Sequence, residues 1–444
     1  MINAIEKLSQ EFLELTKDKP VRIISHHDTD GITAAAIMAK ALKRLDKKFS
    51  VRIVKNLEED TVRKELERNE REILIFTDLA SGSLDYFRML KSPIFILDHH
   101  QIEKDKLNSQ IKIINPHLFA EEEVSGAGLA YLFAKSLSKD NLDLSRLAII
   151  GMIGDRLEGN ISKIYQQILN DSSELTIKKS LLIYPATRPI KRTLEYCTSI
   201  YIPGVTGSSL GVMEILRETG ISPDKSLFEL TDEETSKLLT GILIRRANLK
   251  TKEEIIGNLY LLKFFNRKED VRELSVMINA CSRMGQSDVA LAFCLENIKA
   301  KEKAEEIYTA YKQQLISGLS LVEKMDKIKG NGFVIMNAKN NIKDTIIGTV
   351  TSILSSSLNY DEGTVLIGMA YSEDKIKVSA RMVGKHGRNL KDMLERAVIQ
   401  FKIQNIPVEI GGHQNAAGCL ICKEKEEEFI ESLKRNLEIE VMRV

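Results

Sequence analysis

Long apolar runs are missing from this 444-residue chain. No stretch approaches the length needed to cross a bilayer, so no membrane role is expected. Cysteine is scarce and odd in number, five in all, which argues against a secreted disulfide framework and fits a reducing cytoplasm. Cys419 and Cys422 form one C-x-x-C with no second pair to complete a zinc ribbon, and Cys419-Leu420-Ile421-Cys422 reads as a buried strand. An excess of one charge is absent too. With 64 basic and 63 acidic residues, no global field steers a polyanion toward the chain, and a nucleic-acid role needs local basic patches. Internal repeats and low-complexity segments are not found, and residues 1–17 read as an amphipathic helix rather than a signal peptide.

What is present is an ordinary soluble composition, 43% hydrophobic and 29% charged, in a chain long enough for two or three domains. Histidine is rare but concentrated. Of seven histidines, four lie in His26-His27-Asp28-Thr29-Asp30-Gly31 and Asp98-His99-His100, and a fifth in Gly411-Gly412-His413. The first two clusters directly follow the apolar runs at residues 21–24 and 94–97, so two strand ends present carboxylates and imidazoles together. His117, in Asn115-Pro116-His117, reads as a loop residue outside the site.

From residue 21 to about 155, short apolar runs (21–24, 51–54, 73–76, 94–97) alternate with helical segments at 32–45 and 59–71, which implies a parallel sheet with right-handed crossovers. Ligands of such sheets gather beyond the carboxyl ends of the strands, where Asp28, Asp30, Asp78, Asp98 and His99 fall. Residues 160–299 read as mostly helical, with Thr231-Asp232-Glu233-Glu234 as a capping box. Residues 300–329 read as one long helix, too polar for a core element. Strands at 333–336, 364–370 and 375–380 and helices at 344–358, 390–401 and 424–436 follow. The expected organisation is therefore α/β throughout. It places an N-terminal parallel-sheet domain over residues 1–299, a linker helix over 300–329 and a smaller α/β domain over 330–444, with a substrate cleft between the lobes.

Carboxylates mixed with neutral imidazoles suit borderline divalent ions such as Mn²⁺, whereas carboxylates alone favour Mg²⁺ or Ca²⁺ and thiolates favour Zn²⁺. Alone, His26-His27-Asp28 reads equally well as a polar turn capping a helix. Thr77-Asp78 and Asp98-His99-His100 at two further strand ends, with Gly154-Asp155 after the apolar run 147–153, shift the reading to a two-metal site. Two ions about 3.5–4 Å apart form the usual clamp for in-line attack at phosphorus.

In order along the chain, these motifs, Ser125-Gly126-Ala127-Gly128 before a helix, and Gly411-Gly412-His413-Gln414-Asn415-Ala416-Ala417-Gly418 resemble the motif set of the DHH/DHHA1 phosphoesterases. Asn279-Ala280-Cys281-Ser282-Arg283-Met284-Gly285 is similar to a segment of RecJ-type exonucleases, and Asp344-Thr345-Ile346-Ile347-Gly348 and Ser379-Ala380-Arg381 match further. The full length looks closest to the archaeal RecJ-like nucleases, including the GINS-associated nuclease.

The resemblance implies that His26 and Asp28 hold one ion, Asp30, His99 and Asp155 the other, and that Asp78 bridges them, with His27 the alternative to His26. It implies that His100 sits beside the metals and touches the phosphate. Ser125, Gly126, Asn279, Arg283, Ser379, Arg381, Gly411, Gly412 and His413 are then expected to engage substrate, Arg381 and His413 close to the chemistry. The resemblance also implies that the glycine-rich segment 411–418 is a loop gripping the substrate phosphate; Ile410 stands where relatives often carry a third glycine, and Cys281 and Ser282 replace the usual small residues. The implied activity is hydrolysis of single-stranded DNA or RNA from an end to nucleoside monophosphates. Two ions would be required, Mn²⁺ preferred and Mg²⁺ second, in DNA replication or repair, with GINS or a repair helicase as the partner. The rival readings are a short-oligonucleotide or cyclic-dinucleotide phosphodiesterase and a non-catalytic replication scaffold. The basic cluster Lys385-His386-Gly387-Arg388-Asn389-Leu390-Lys391 and the pair Arg245-Arg246 read as contacts to the nucleic-acid backbone or as solvated surface in equal measure.

Overall fold

The computed structural model describes residues 1–88, 90–119, 123–197, 200, 202–246, 255–356, 360–384 and 387–441, and of residues 413 and 439–441 the backbone alone. Lys385 and His386 of the basic cluster lie outside the described residues. The chain divides into two compact units, Met1–Arg245 with Glu254–Tyr308, and Arg246–Glu253 with Thr309–Val444.

The first unit opens with α1 (Ile2–Leu15), β1 (Val21–His26), α2 (Thr29–Arg44), β2 (Phe49–Val54), α3 (Glu59–Leu66), β3 (Ile73–Thr77), β4 (Ile94–Leu97) and β5 (Ile111–Ile114). The five strands form one parallel sheet in the order β2-β1-β3-β4-β5. β3 and β4 are buried along their whole length, which is why they read as unbroken apolar runs rather than alternating ones. α4 (Gly126–Leu137) and α5 (Ser145–Gly154) pack against α2. Ala34, Ala35, Ala36, Ala39 and Ala41 let the three helices approach closely, so α2 is buried almost all round. β1 is followed in sequence by β2 on one side and in space by β3 on the other, so the strand order reverses between β1 and β3. Open parallel sheets bind ligands at this point.

α6 (Lys163–Asp171), β6 (Thr176–Leu181), α7 (Ile190–Glu195), α8 (Ser209–Thr219), α9 (Asp232–Arg245), β7 (Ile256–Phe264), β8 (Arg267–Asp270), α10 (Val271–Arg283), α11 (Ser287–Cys294) and the start of α12 (Ile298–Lys324) complete this unit. The mostly helical expectation for residues 160–299 needs correction, because β6, β7 and β8 make a three-stranded antiparallel sheet. α7, α8 and α9 enclose a core of their own, including Leu194, Ile215, Leu216 and Leu238. The capping box does open α9: Thr231 Oγ1 accepts from Glu234 N–H at 3.1 Å and Glu234 Oε2 accepts from Thr231 N–H at 2.8 Å.

The second unit continues α12 and adds β9 (Ile328–Gly330), β10 (Phe333–Asn337), α13 (Asp344–Ser355), β11 (Val365–Ser372), β12 (Lys375–Met382), α14 (Leu390–Ile403), β13 (Glu409–His413), β14 (Ala416–Cys422) and α15 (Glu426–Val441). α12 stops at Lys324, so residues 328 and 329, expected as helix, belong to β9. The six strands run β13-β14-β12-β11-β10-β9, parallel only between β10 and β11. Ile367 and Met369 join the core beneath α14 and α15, whereas Gly368 between them meets Thr351 of α13. Cys419 and Ile421 are buried and Leu420 and Cys422 are not, so the C-x-x-C lies on a strand with one buried face. The glycine-rich segment 411–418, expected as a loop, is a hairpin whose two strands are joined at Gln414-Asn415.

Candidate metal centre

β1 delivers His26 to its carboxyl end, and Asp28 caps α2, its Oδ1 accepting from Gly31 N–H at 3.0 Å. Asp30, 1% exposed in the first turn of α2, meets the amino end of α4: its Oδ2 accepts from Gly126 N–H at 2.6 Å and its Oδ1 from Ala127 N–H at 3.0 Å. Asp78 leaves β3 in the left-handed region at φ 59° and is 1% exposed. Asp155 caps the carboxyl end of α5.

Glycines make the approach possible. A Cβ on Gly126 would lie 2.5 Å from Asp78 Cβ, and one on Gly151 2.4 Å from Asp30 Oδ1. Gly126→Ala is therefore expected to push Asp78 aside and to weaken binding of a divalent ion such as Mn²⁺ by roughly ten- to a hundredfold, the usual cost of disturbing the groups around a metal site. Calorimetric titration of the variant reads it, and unchanged affinity would refute the packing argument.

The side chains meet in three groups: His26, Asp28 and Asp78; Asp30, His99 and Asp155; and Asp78, His99 and His100. Asp78 belongs to two sides at once. Its Oδ2 lies 3.5 Å from His26 Nδ1 and its Oδ1 lies 3.2 Å from His99 Nε2. His26 Nδ1 is 3.0 Å from Asp28 Oδ2, and His99 Nε2 is 3.3 Å from Asp155 Oδ2 and 3.9 Å from Asp30 Oδ2. Despite this crowding, His26 Nδ1, both Asp78 oxygens and Asp155 Oδ2 are buried without hydrogen-bond geometry to any partner. Buried polar atoms in native folds are nearly always satisfied, so four orphans converging on one point mark a place for cations.

The electrostatics agree. Burial and the neighbouring carboxylates of Asp30 and Asp28 push Asp78 well above the usual carboxylate range, and burial with Asp30 and Asp78 does the same to Asp155. Burial alone would lower His26 and His99. The facing carboxylates, Asp28 for His26 and Asp30 with Asp155 for His99, outweigh it and hold both imidazoles above their ordinary value. His27 is different: burial and the charges of His26, Arg283 and Lys55 pull it down to about 4, although Asp28 opposes them. Its Nδ1 is a further buried atom without a partner, but it joins none of the three groups.

Asp98 plays a part that sequence reasoning did not assign. Fully buried, it accepts from Ser81 N–H at 2.8 Å and His99 N–H at 2.8 Å, and pairs with His100 Nδ1 at 2.7 Å. Burial would raise its carboxyl, but the His100 hydrogen bond and both imidazoles hold it well below the usual range. Asn115, also fully buried, donates to Ser81 Oγ at 2.9 Å and to the His100 carbonyl at 2.8 Å. Asp98 thus orients the His100 ring and holds the His99 backbone, and Asn115 holds the His100 backbone. With Nδ1 engaged by Asp98, the half-exposed His100 is left with Nε2 to face a ligand. The signal available in the sequence was Asp98's place directly before the pair.

Ser125 is fully buried, its Oγ 2.5 Å from Tyr165 Oη, and it caps α4; with Gly126 it supports Asp30 rather than facing solvent. Asn279 and Arg283 are half-buried on α10, which packs on α2 and α5 and accepts a hydrogen bond from Thr29 Oγ1 at the Ser275 carbonyl, 2.8 Å. His117 is exposed in a short 3₁₀ turn. In the second unit, Arg381 Nε donates to Ser352 Oγ at 2.7 Å and its guanidinium also donates to the Ala380 carbonyl at 2.8 Å. Ser379 is 4% exposed, and a Cβ on Gly348 would come within 3.1 Å of its Oγ. Strand register pairs His413 with Ala416 and Ala416 with Arg381, so these three positions form one row across the sheet. Gly411 and Gly412 are exposed on β13, and the side chain of His413 lies outside the described atoms.

A sheet reversal crowded with buried acids and imidazoles, followed by a separate mixed-sheet unit, defines a DHH-type phosphoesterase architecture. The match to known families is direct: the DHH family N-terminal domain over residues 20–154, the DHH-CID domain over 184–259 and the DHHA1 domain over 330–438. The chain belongs to the DHH superfamily. An uncharacterized protein of Methanocaldococcus jannaschii is 30% identical over 97% of this chain and 96% of its own.

Among solved structures, RecJ of Thermus thermophilus in complex with Mn²⁺ matches with a TM-score of 0.61 and 16% identity over 97% of this chain. The match takes in 54% of that protein, so the chain spans about half its length. An exonuclease RecJ bound to manganese (TM-score 0.60, 15% identity, 97% of this chain and 93% of that one) and CDC45 from Entamoeba histolytica (0.68, 12%, 98% and 99%) share the fold. Among the described residues no helix is long and apolar enough to cross a membrane.

Proposed function

We propose that this chain is a metal-dependent exonuclease that hydrolyses phosphodiester bonds from an end of single-stranded DNA or RNA, releasing nucleoside monophosphates in replication or repair. The observation that carries it is Asp78, buried, unpartnered and turned with one oxygen toward each side of the centre. His26 and Asp28 would hold one divalent ion, Asp30, His99 and Asp155 a second, and Asp78 would serve both. When bound, such ions lower the pKa of an attacking water and neutralise charge building on phosphorus. Asp98 holds the His100 ring at Nδ1 and the His99 backbone at its N–H, and His100 Nε2 would donate to a phosphate oxygen. Asp30 is held by the two N–H donors at the start of α4. In the second unit Arg381, Ser379, Gly411, Gly412 and His413 would grip a phosphate, the guanidinium through its forked donors and the glycines through backbone N–H. Asn279 and Arg283 would contact the strand, and GINS or a repair helicase would be the partner.

Digestion of end-labelled single-stranded DNA and RNA with Mn²⁺, Mg²⁺ or EDTA tests this reading. Mononucleotides appearing with metal and not with EDTA support it; no cleavage under any condition leaves the scaffold reading, which the shared fold with CDC45 keeps in view. Mn²⁺ is expected to outperform Mg²⁺ at matched free concentration, because His26 and His99 add nitrogen donors that Mg²⁺ accepts poorly. Equal or faster turnover with Mg²⁺ would remove the imidazoles from the coordination sphere.

A further inference from the structure

Two exposed basic side chains border the acidic centre, and neither has a hydrogen bond or ion pair among the described residues: Lys55, directly after β2, and Arg156, directly after Asp155. β2 pairs with β1 up to Val54 opposite His26, so Lys55 flanks the side of the centre formed by His26, Asp28 and Asp78. Arg156 flanks the side formed by Asp30, His99 and Asp155.

Exposed cations are common, and what sets Arg156 apart from Lys55 is its backbone. It stands at φ 59°, ψ 34°, the left-handed conformation that often follows a helix cap and favours glycine. Among the described residues, five helices are followed by such a residue just beyond the cap: Asp46, Arg156, Gly285, Glu296 and Asn405. Glycine takes the conformation freely, and Asp and Asn tolerate it. Glu296 does not, but its carboxylate is held by Arg146 at 2.5 Å and Lys40 at 3.4 Å, so the side chain has a structural use. Arg156 keeps a side chain in this conformation with no structural use for it. A non-glycine residue held there without one points to a functional use.

We propose that Arg156 is a phosphate-binding residue that grips the nucleic-acid backbone beside the bond being cut, with Lys55 holding the strand on the opposite flank. This rests on the exonuclease reading. It explains how a chain with no net field engages a polyanion, by placing bare cations on the rim of a centre whose own charge repels the strand until metal is bound.

The test compares the full-length wild type with Arg156→Gly, Arg156→Lys and Lys55→Ala, using a short labelled oligothymidylate as probe. Binding is read by anisotropy in EDTA across a salt titration and cleavage with Mn²⁺, alongside thermal unfolding and Mn²⁺ calorimetry. Arg156→Gly is expected to unfold at the same or a higher temperature and to bind Mn²⁺ as wild type does, since glycine relieves the backbone. Its KM for the strand should nevertheless rise roughly tenfold with kcat little changed. The slope of log affinity against log salt should shrink by about 0.7, the share of one single-strand phosphate contact, in Arg156→Gly and again in Lys55→Ala. Arg156→Lys should restore it. Unchanged KM and slope in Arg156→Gly, with wild type active, would overturn the assignment and leave the exonuclease reading standing, as would loss of Mn²⁺ binding in that variant. A wild type that neither binds nor cleaves the strand would take down both.

Discussion

Asp78→Asn is expected to cost more than about a thousandfold in kcat while making the metal-free protein harder to unfold. The two effects have one cause. In the absence of ions the Asp78 carboxylate is buried against Asp28, Asp30 and Asp155 with no hydrogen bond of its own, and like charges so placed repel. An amide of the same shape removes one of the charges, and asparagine tolerates the left-handed backbone at φ 59° as well as aspartate does. Unfolding in EDTA should therefore shift upward in temperature. An amide oxygen is a weaker ligand than a carboxylate oxygen, and its nitrogen is none, so the residue no longer serves both sides of the centre. Losing one preorganised electrostatic element typically costs a hundred- to a thousandfold, and a shared ligand should exceed that. Single-turnover cleavage and thermal unfolding on the same sample decide it. Near-normal turnover by the variant would end the two-metal reading, and a lower unfolding temperature in EDTA would show that Asp78 is not held against repulsion.

The part of this site that was legible in the sequence was the part written as strand ends. β3 and β4 are buried along their whole length and β1 over most of it, so each is a mainly apolar run with the acids and histidines at or just after its end, and their parallel pairing fixes where those residues gather. Asp155 was found only as the end of an apolar run. It caps a helix, α5, because in a short, fully buried segment the period that separates helix from strand is lost. Asp98 was quoted with its neighbours and its work missed, since nothing in composition tells a buried carboxylate that orients imidazoles from one that faces an ion. The sheet of β6, β7 and β8 was missed for a different reason: β7 pairs with a strand whose residues precede it by the whole of α7, α8 and α9. The hairpin at 411–418 was read as a loop because glycine in a strand resembles a turn until its partner is known.

In EDTA the protein is expected to lose stability as pH rises above about 6.5, and with Mn²⁺ to gain it over the same range. A group whose pKa is higher folded than unfolded contributes fully below its unfolded value, and that contribution is lost as pH climbs through the folded one. His26, His99 and His100 behave so from 6.5 upward, and Asp78 and Asp155 from 3.8 upward. The depressed groups act in the other direction but elsewhere: His27 loses its contribution between 6.5 and about 4, and Asp28 and Asp98 lose theirs below 3.8. Well above 6.5 those three no longer change protonation in either state, so every shifted group of the centre still titrating pulls one way. Ions reverse the sign because they require the same imidazoles and carboxylates to be free of protons, and binding tightens as protons leave. At a hundred times its dissociation constant each ion adds about 2.7 kcal/mol to the folded state. Unfolding temperatures taken with EDTA and with Mn²⁺ should therefore diverge as pH increases, and Asp78→Asn should flatten the EDTA curve. Two curves that stayed parallel would mean that the buried acids and histidines of this centre are not what the ions bind.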